Sequence, residues 1–478
     1  MKKPSSCLFN LFQTGLPIVR IIFVTIISLI GMTMNASDKG KERQLTFSPK
    51  NHELDNNDNF SADSKFLCYD TREMFGPGID RSRSIEKVEL ATGKETVLYA
   101  PPFSTGDQAA PGVAAASYCP VADRVIFIHG PPFEALSRRG PYAKTNRNGA
   151  EVASDGTGKL TWLDERDVET GRATLPGAHR GGTHRHEYCR NGKRIGFTYD
   201  DALLPQYSRT VGYMEKNPRA PGQASHYFAV LVPVAPKGTA KPGEIEMASG
   251  DSWVDREGTM RAFIGKVRQP DGDAYEQSLF VVDIPADVDI TTADSGSATR
   301  FPQPPKGTRV RRLTHGFAGG IVRGSFDGQR IAYYGRDKNG VSQVFIVPSH
   351  GSDEAADPKM RPVQATYLPR GTTNGFRWHC SGDFATCVSG DAIAVICVKS
   401  GAQFGQSVFL TPQDDGHQRK DLVWSPDGKW LAYDRPIPTP GKDAHQLKTY
   451  DGKDFNQIFL IDTSKLDELL KQPGEFRN

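Results

Sequence analysis

The chain has 478 residues, 37% hydrophobic and 24% charged, with 25 Phe, 15 Tyr and five Trp, so it can bury a large core and is not a disordered polymer. Its net charge of +3 is nearly balanced, and Lys and Arg are scattered, which excludes the electrostatic footprint of a nucleic-acid binder. Any anionic ligand must be met by cations placed locally.

The first 36 residues differ from the rest. Lys2, Lys3 and Arg20 precede an apolar run from Ile21 to Ile30, and Met34-Asn35-Ala36 resembles a small-residue cleavage site. Residues 1–36 are expected to be a signal peptide, placing the remainder, 37–478, in the periplasm or outside the cell as one domain. The run is shorter than the roughly 20 apolar residues of a membrane span, so no stable span is expected; a retained N-terminal anchor is the alternative. Cys7 lies before the run, where lipidation would not use it. The six later cysteines suit an oxidising compartment, but spacing does not choose their pairing.

From residue 60 onward one phrase recurs: an aromatic residue, a Ser-Pro-Asp-Gly-Lys-like turn, and a short apolar strand. Copies begin at Phe60, Tyr118, Tyr188, Trp253, Phe326, Trp378 and Trp424; the clearest is Trp424-Ser425-Pro426-Asp427-Gly428-Lys429. The Pro-Asp-Gly step is a hairpin turn. A unit of about four short strands cannot bury both faces alone, so such units stack around an axis and close into a ring. The expected fold is all-β, a seven-bladed β-propeller of the WD40-like or Tol type. Arg43-Gln44-Leu45-Thr46 resembles Arg311-Arg312-Leu313-Thr314, a phrase that precedes a blade, and is expected to complete the last blade beside Ile458 to Ile461. Long Pro/Gly-rich insertions fall near Pro131–Gly158, Leu203–Gln223 and Pro233–Gly243, and long loops on a rigid ring are where function sits.

The chemistry-bearing phrases lie on blades two and three: Phe127-Ile128-His129-Gly130, Gly181-Gly182-Thr183-His184-Arg185-His186, Phe197-Thr198-Tyr199-Asp200-Asp201, and Ser208-Arg209. Strand alternation puts His184 and His186 on one face and Arg185 on the other, a pair suited to a metal, an anion or a proton relay. Taken singly, His129 beside a glycine reads equally as a hydrogen-bonded structural residue, and Tyr199 as packing.

These phrases, with Asp70-Thr71-Arg72-Glu73, Arg180 and Pro304-Pro305-Lys306-Gly307, resemble the seven-bladed ulvan lyases of polysaccharide lyase family 25 and related bacterial propellers over nearly the whole chain after residue 43. The resemblance implies β-elimination at uronate residues of a sulfated polysaccharide. His129, Tyr199 and Arg209 match the family's catalytic positions. A second family His does not appear; Asn146, followed by Arg147, stands nearest. In that chemistry a cation against the uronate carboxylate makes the adjacent proton acidic. Arg209 would be that cation, Tyr199 the base, and His129 the partner of the departing oxygen. Asn146, His184, His186 and Arg72 are the expected substrate-binding residues.

His379, Cys380, Cys387 and Cys397 lie on consecutive strands of blade six, and one His with three thiolates is a complete tetrahedral zinc set. A Cys380–Cys387 disulfide and packed free thiols are the other readings; the resemblance favours structural zinc, since some ulvan lyases hold one through Cys and His. No organic cofactor is expected. Together these features lead to the expectation of an exported lyase of an anionic polysaccharide, a monomer. Its rival is a non-catalytic periplasmic propeller that binds a glycan or a protein. A third reading is a hydrolase with His184 and His186 as metal ligands, completed by Asp200 or Glu187.

Overall fold

Each recurrent phrase folds as two antiparallel strands around one hydrogen-bonded turn. The Ser425 hydroxyl donates to Asp427 at 2.6 Å and accepts the Trp430 N–H at 3.0 Å, while Asp427 accepts the Lys429 N–H at 3.1 Å. Ser325 with Asp327 and Ser61 with Asp63 repeat the arrangement. In the third copy the Cys189 thiol and Asn191 replace hydroxyl and carboxylate. The turn needs a left-handed residue, supplied by Gly428, Gly328 and Gly192, and by Ser64 at φ 61°.

The computed structural model describes residues 42–466 except 55, 57, 74–81, 103–111, 373 and 442–445; the expected signal segment, 1–36, lies outside the described residues. Seven antiparallel sheets follow one another along the chain as blades. Blade 1 contains Phe66–Asp70, Ile85–Glu89 and Glu95–Tyr99, with Glu53 bridged to Asp70 and Phe60 to Leu67 along its inner edge. Blade 2 contains Val113–Tyr118, Arg124–His129, Asn148–Ala153 and Leu160–Trp162. Blade 3 contains Gly181–Tyr188, Arg194–Asp201, Thr210–Lys216 and His226–Val230. Blades 4 to 6 begin with the inner strands Ile245–Trp253, Gly319–Gly324 and Asn374–Trp378. Blade 7 contains Lys420–Trp424, Trp430–Ile437 and Phe455–Asp462, and its outer edge is Arg43–Gln44, paired with Leu460 and Phe459. The ring therefore closes as its sequence predicts. Among the described residues, regular helix is confined to short turns such as Leu136–Arg139.

The core lies between successive blades. Aromatic residues of the repeat reach back to the preceding inner strand: Trp253 Nε1–H donates to Glu187 O and Trp378 Nε1–H to Arg323 O, each at 3.0 Å. The inner strands of blades 2 to 7 share a break in register, each containing one left-handed residue: Ala115, Arg185, Gly250, Gly320, Gly375 and Asp421. An extra residue on one strand re-aims the side chains that follow it. This bulge decides what faces the axis.

Candidate functional site

The bulge at Arg185 separates the two histidines that strand alternation had placed together. His184 pairs with Thr198 and Glu187 with Gly196, so the two residues between, Arg185 and His186, oppose only one on the partner strand. His184 and Arg185 turn into an axial cavity of about 110 Å³, which Arg209, Thr198, Asp251 and Arg323 also line. His186 turns away and is fully buried. Its Nε2 lies 3.0 Å from the Thr183 hydroxyl and its ring fills the space a Cβ on Gly149 would need. His186 is thus a packing residue, and the expected two-imidazole face is corrected to one imidazole.

His184 is half-buried, and its Nδ1 has no hydrogen-bond partner. Burial, followed by the positive charges of Arg147, Arg209 and Arg185, holds its pKa well below the ordinary imidazole value, so the ring is neutral. Arg209 is fixed by Asp200, whose Oδ2 accepts from its Nε at 2.9 Å and from its Nη2 at 2.6 Å. Arg147 donates to the Tyr142 hydroxyl at 2.8 Å and to Lys144 O at 3.1 Å. The chain can pass here because Gly182 has no side chain: a Cβ there would sit 2.2 Å from Lys144 O. One end of the loop, Arg147, lies within electrostatic reach of His184. The other, Arg139, lines a cleft of about 920 Å³ with Arg138, Arg166, Trp162 and Asp164, a volume in the range of small-molecule sites.

The other expected site residues are placed differently. His129 ends its strand on the same rim but is 1% exposed; its ring meets Trp162 edge-on at 4.8 Å. Its Nδ1 lies 2.7 Å from Gly130 O, which can only accept, so Nδ1 carries the proton and Nε2 accepts from the Tyr99 hydroxyl at 2.9 Å. Tyr199 is fully buried. Its hydroxyl donates to Asp201 at 3.0 Å and accepts the Arg180 N–H, and Phe228 and Phe301 pack against its ring. Burial and the Asp201 charge push its pKa far above the usual phenol value, the reverse of what a base requires. Asn146 spends its amide on Arg139 O, Gly140 O and Pro141 O, and its carbonyl on Arg139 Nε; it shapes the loop. Arg72, 2% exposed, pairs with Asp70 at 3.2 Å, and Asp70 accepts the Ala115 N–H at 2.7 Å, joining blades 1 and 2. Of the expected set, Arg209 and His184 share one cavity. Among the described residues, no side-chain hydrogen bond or ion pair joins them to His129 or Tyr199.

Tyr142, Arg147, Arg185 and Arg323 are the functional candidates that sequence reasoning missed. One signal was available for Arg185: it stands where Gly250 and Gly375 stand in other repeats, two residues before the position preceding the repeat's Trp or Tyr.

The blade-six donors do not form a metal site. The six described cysteines are free; Cys387 is buried in the blade 5–6 core, and burial pushes its thiol up to about 12. His379 Nε2 lies 3.1 Å from Gly428 O, its ring stacked edge-on against Trp424. Among the described residues the one convergence of three donors is Glu53, Asp421 and Asp434, where the Lys420 ammonium already lies 2.8 Å from Glu53 and 3.4 Å from Asp421. Neither the expected zinc set nor a site from His184, His186, Asp200 and Glu187 is assembled, because Glu187 is bound by Arg261 and Asp200 by Arg209.

His129 yields a pH prediction. Burial lowers its pKa from 6.5 to about 4, so between those values the unfolded chain takes up a proton that the folded chain refuses. Stability is lost as pH falls through that window, by about 3 kcal/mol at most for this group. The His129→Gln variant should lose less stability than wild type between about pH 7 and about pH 4.5 in denaturant titrations. Equal slopes would show that the ring is not held neutral.

Residues 112–233 match a family described as Protein of unknown function (DUF3748). Over 423 residues the chain is 31% identical to the uncharacterized protein YidR of Escherichia coli (strain K12), covering 82% of this chain and 94% of that one. Its fold is similar to that of an oligogalacturonate lyase solved in complex with manganese, with TM-score 0.50 and 11% identity over 89% of this chain and 93% of that one. The β-propeller domain of the Trilobed protease from Pyrococcus furiosus gives TM-score 0.45 and 8% identity, covering 86% of this chain and 96% of that chain.

Proposed function

The chain belongs to the family of Escherichia coli YidR, and from that premise and the geometry of the rim we propose that it is an exported lyase that opens an acidic, sulfated, ulvan-like polysaccharide by β-elimination at uronate residues. The observation that carries this reading is His184: a neutral imidazole with an unpartnered nitrogen, set among Arg147, Arg185 and Arg209. A uronate carboxylate held by those guanidiniums has its charge neutralised, which makes the proton on the adjacent carbon removable. His184 takes that proton, the electron pair forms the carbon–carbon double bond, and the bond to the glycosidic oxygen breaks. The Tyr142 hydroxyl, held by Arg147, returns a proton to the departing oxygen. The bound carboxylate also offsets the charges that depress His184, so substrate strengthens its own base. The ring architecture is shared with an oligogalacturonate lyase; that likeness is one of fold, and the reading rests on the side chains.

A second reading, a non-catalytic propeller that binds a glycan or a protein partner, is favoured by one observation: His129 and Tyr199, which match catalytic positions of the ulvan lyases, and Asn146, which stands where their second His is expected, all have saturated or buried polar groups. Incubation with ulvan, polygalacturonate and other uronate polymers separates the two. Growth of ultraviolet absorbance from the unsaturated uronate is the expected result; binding without absorbance on every polymer would leave only the second reading.

A further inference from the structure

The axial cavity contains a guanidinium that makes no ion pair among the described residues. Arg323, on the inner strand of blade 5, is 4% exposed and lines the cavity. Its Nη1 donates to Val322 O at 3.2 Å, while Nε and Nη2 have no hydrogen-bond partner. A buried charged donor left unpaired costs more than almost any other defect in a folded protein, so such a group implies a ligand.

The carboxylates that line the cavity, Glu187 and Asp251, and the nearby Asp200 are all held by other guanidiniums. Arg261 holds both Glu187 and Asp251, the first at 3.2 Å and the second through a short ion pair, and Arg209 holds Asp200. Asp58 lies within electrostatic reach of Arg323, Arg377 and Arg190, but makes no ion pair among the described residues. Burial and then Glu187 push its pKa up to about 7, toward the uncharged acid. The positive charge of Arg185 and Arg377 adds to that of Arg323. Rigid walls frame the spot: Trp378 fixes the Arg323 carbonyl, and Arg190 donates to the Gly324 and Ser325 carbonyls. The volume of about 110 Å³ holds a few waters at roughly 30 Å³ each, or one small anion.

We propose that the central channel is a binding site for a small oxyanion, a carboxylate or sulfate group, received by Nε and Nη2 of Arg323 with His184 and Arg185 at its entrance. Planar, paired N–H donors match two oxygens of such a group. The site stands whether or not the rim is catalytic. If the lyase reading holds, the anion is a substituent of the substrate, seated one step deeper than the carboxylate that Arg209 meets.

The test is calorimetric titration of the full chain at constant ionic strength with sodium sulfate, sodium galacturonate and, as a neutral control, glucose. Saturable binding of sulfate or galacturonate, weakened about tenfold or more in Arg323→Met, is expected, with none for glucose. Binding equal in Arg323→Met and wild type, or no saturable binding of either anion, overturns the proposal. If Arg323→Met does not fold, selenate soaked into wild-type crystals decides. An anomalous peak within hydrogen-bond distance of Arg323 Nη2 supports the site, and its absence at saturating selenate sinks it. Sulfate binding without galacturonate binding identifies the group as a sulfate, the converse as a carboxylate. Because these arms read binding, a protein that binds but releases no unsaturated product would lose the lyase reading and keep this one.

Discussion

His184→Asn is expected to lower turnover on a uronate polymer by about 10²–10⁴-fold, the usual loss on removing a general base, while leaving the unfolding midpoint unchanged. The second half makes the first interpretable. His184 has no side-chain hydrogen bond among the described residues and its Nδ1 is unpartnered, so its loss removes no structural contact of the kind that makes substitutions severe. Affinity for the polymer should stay near wild type, since Arg147, Arg185 and Arg209 remain to hold the carboxylate. Tyr199→Phe is the matched control. It removes a hydroxyl that lies in the core, and should cost about 1–2 kcal/mol of stability with turnover retained. Full turnover in His184→Asn, or its abolition in folded Tyr199→Phe, would return the base to Tyr199.

Arg180→Met should be the most damaging single change to the fold. Arg180 and Asp201 are both fully buried and joined through Nη2 and Oδ2. Asp201 also accepts the Tyr199 hydroxyl and the Leu203 and Leu204 N–H groups at 2.8 and 2.9 Å, and Arg180 Nη1 donates to Arg300 O at 2.9 Å. Removing the cation strands a carboxylate in the core, at a cost of about 3–5 kcal/mol. Urea titration should show the midpoint falling at constant slope. Arg180→Met combined with Asp201→Leu should recover part of the loss, because it is the orphaned charge that destabilises. A loss in the single variant below about 1 kcal/mol would mean that the pair is solvated.

The architecture was legible because its cause is local. Ser425 and Asp427 make the same turn bonds as Ser325 and Asp327, so each copy announces a hairpin, and seven hairpins with apolar second strands leave a ring as the way to bury both faces. Even the pairing of Arg43 and Gln44 with the last blade followed from one short phrase. The site was less legible because it depends on residues inserted into the inner strands, one at most of the bulges and two at that of blade 5. Arg185 at φ 59° has no chemical reason to adopt that conformation other than its place in the ring, and a shift of one residue reverses every face assignment beyond it. Tyr199 was misplaced for another reason. The segment that buries it, around Phe301, is about a hundred positions away in sequence, and its stacking on Tyr207 at 4.3 Å leaves no periodic trace.

The pairing of Arg43–Gln44 with Phe459 and Leu460 sets an order of events during synthesis. A ribosome delivering this chain releases the first strand of the clasp more than 400 residues before its partner, so the circle has no joined state until about Asp462 has emerged. Through that interval the nascent polypeptide carries an unmet sheet edge at Arg43–Gln44, open to pairing with neighbours, and joining it brings together residues more than 400 positions apart. Shielding that edge until the last blade arrives is a demand this topology places on whatever machinery handles the chain.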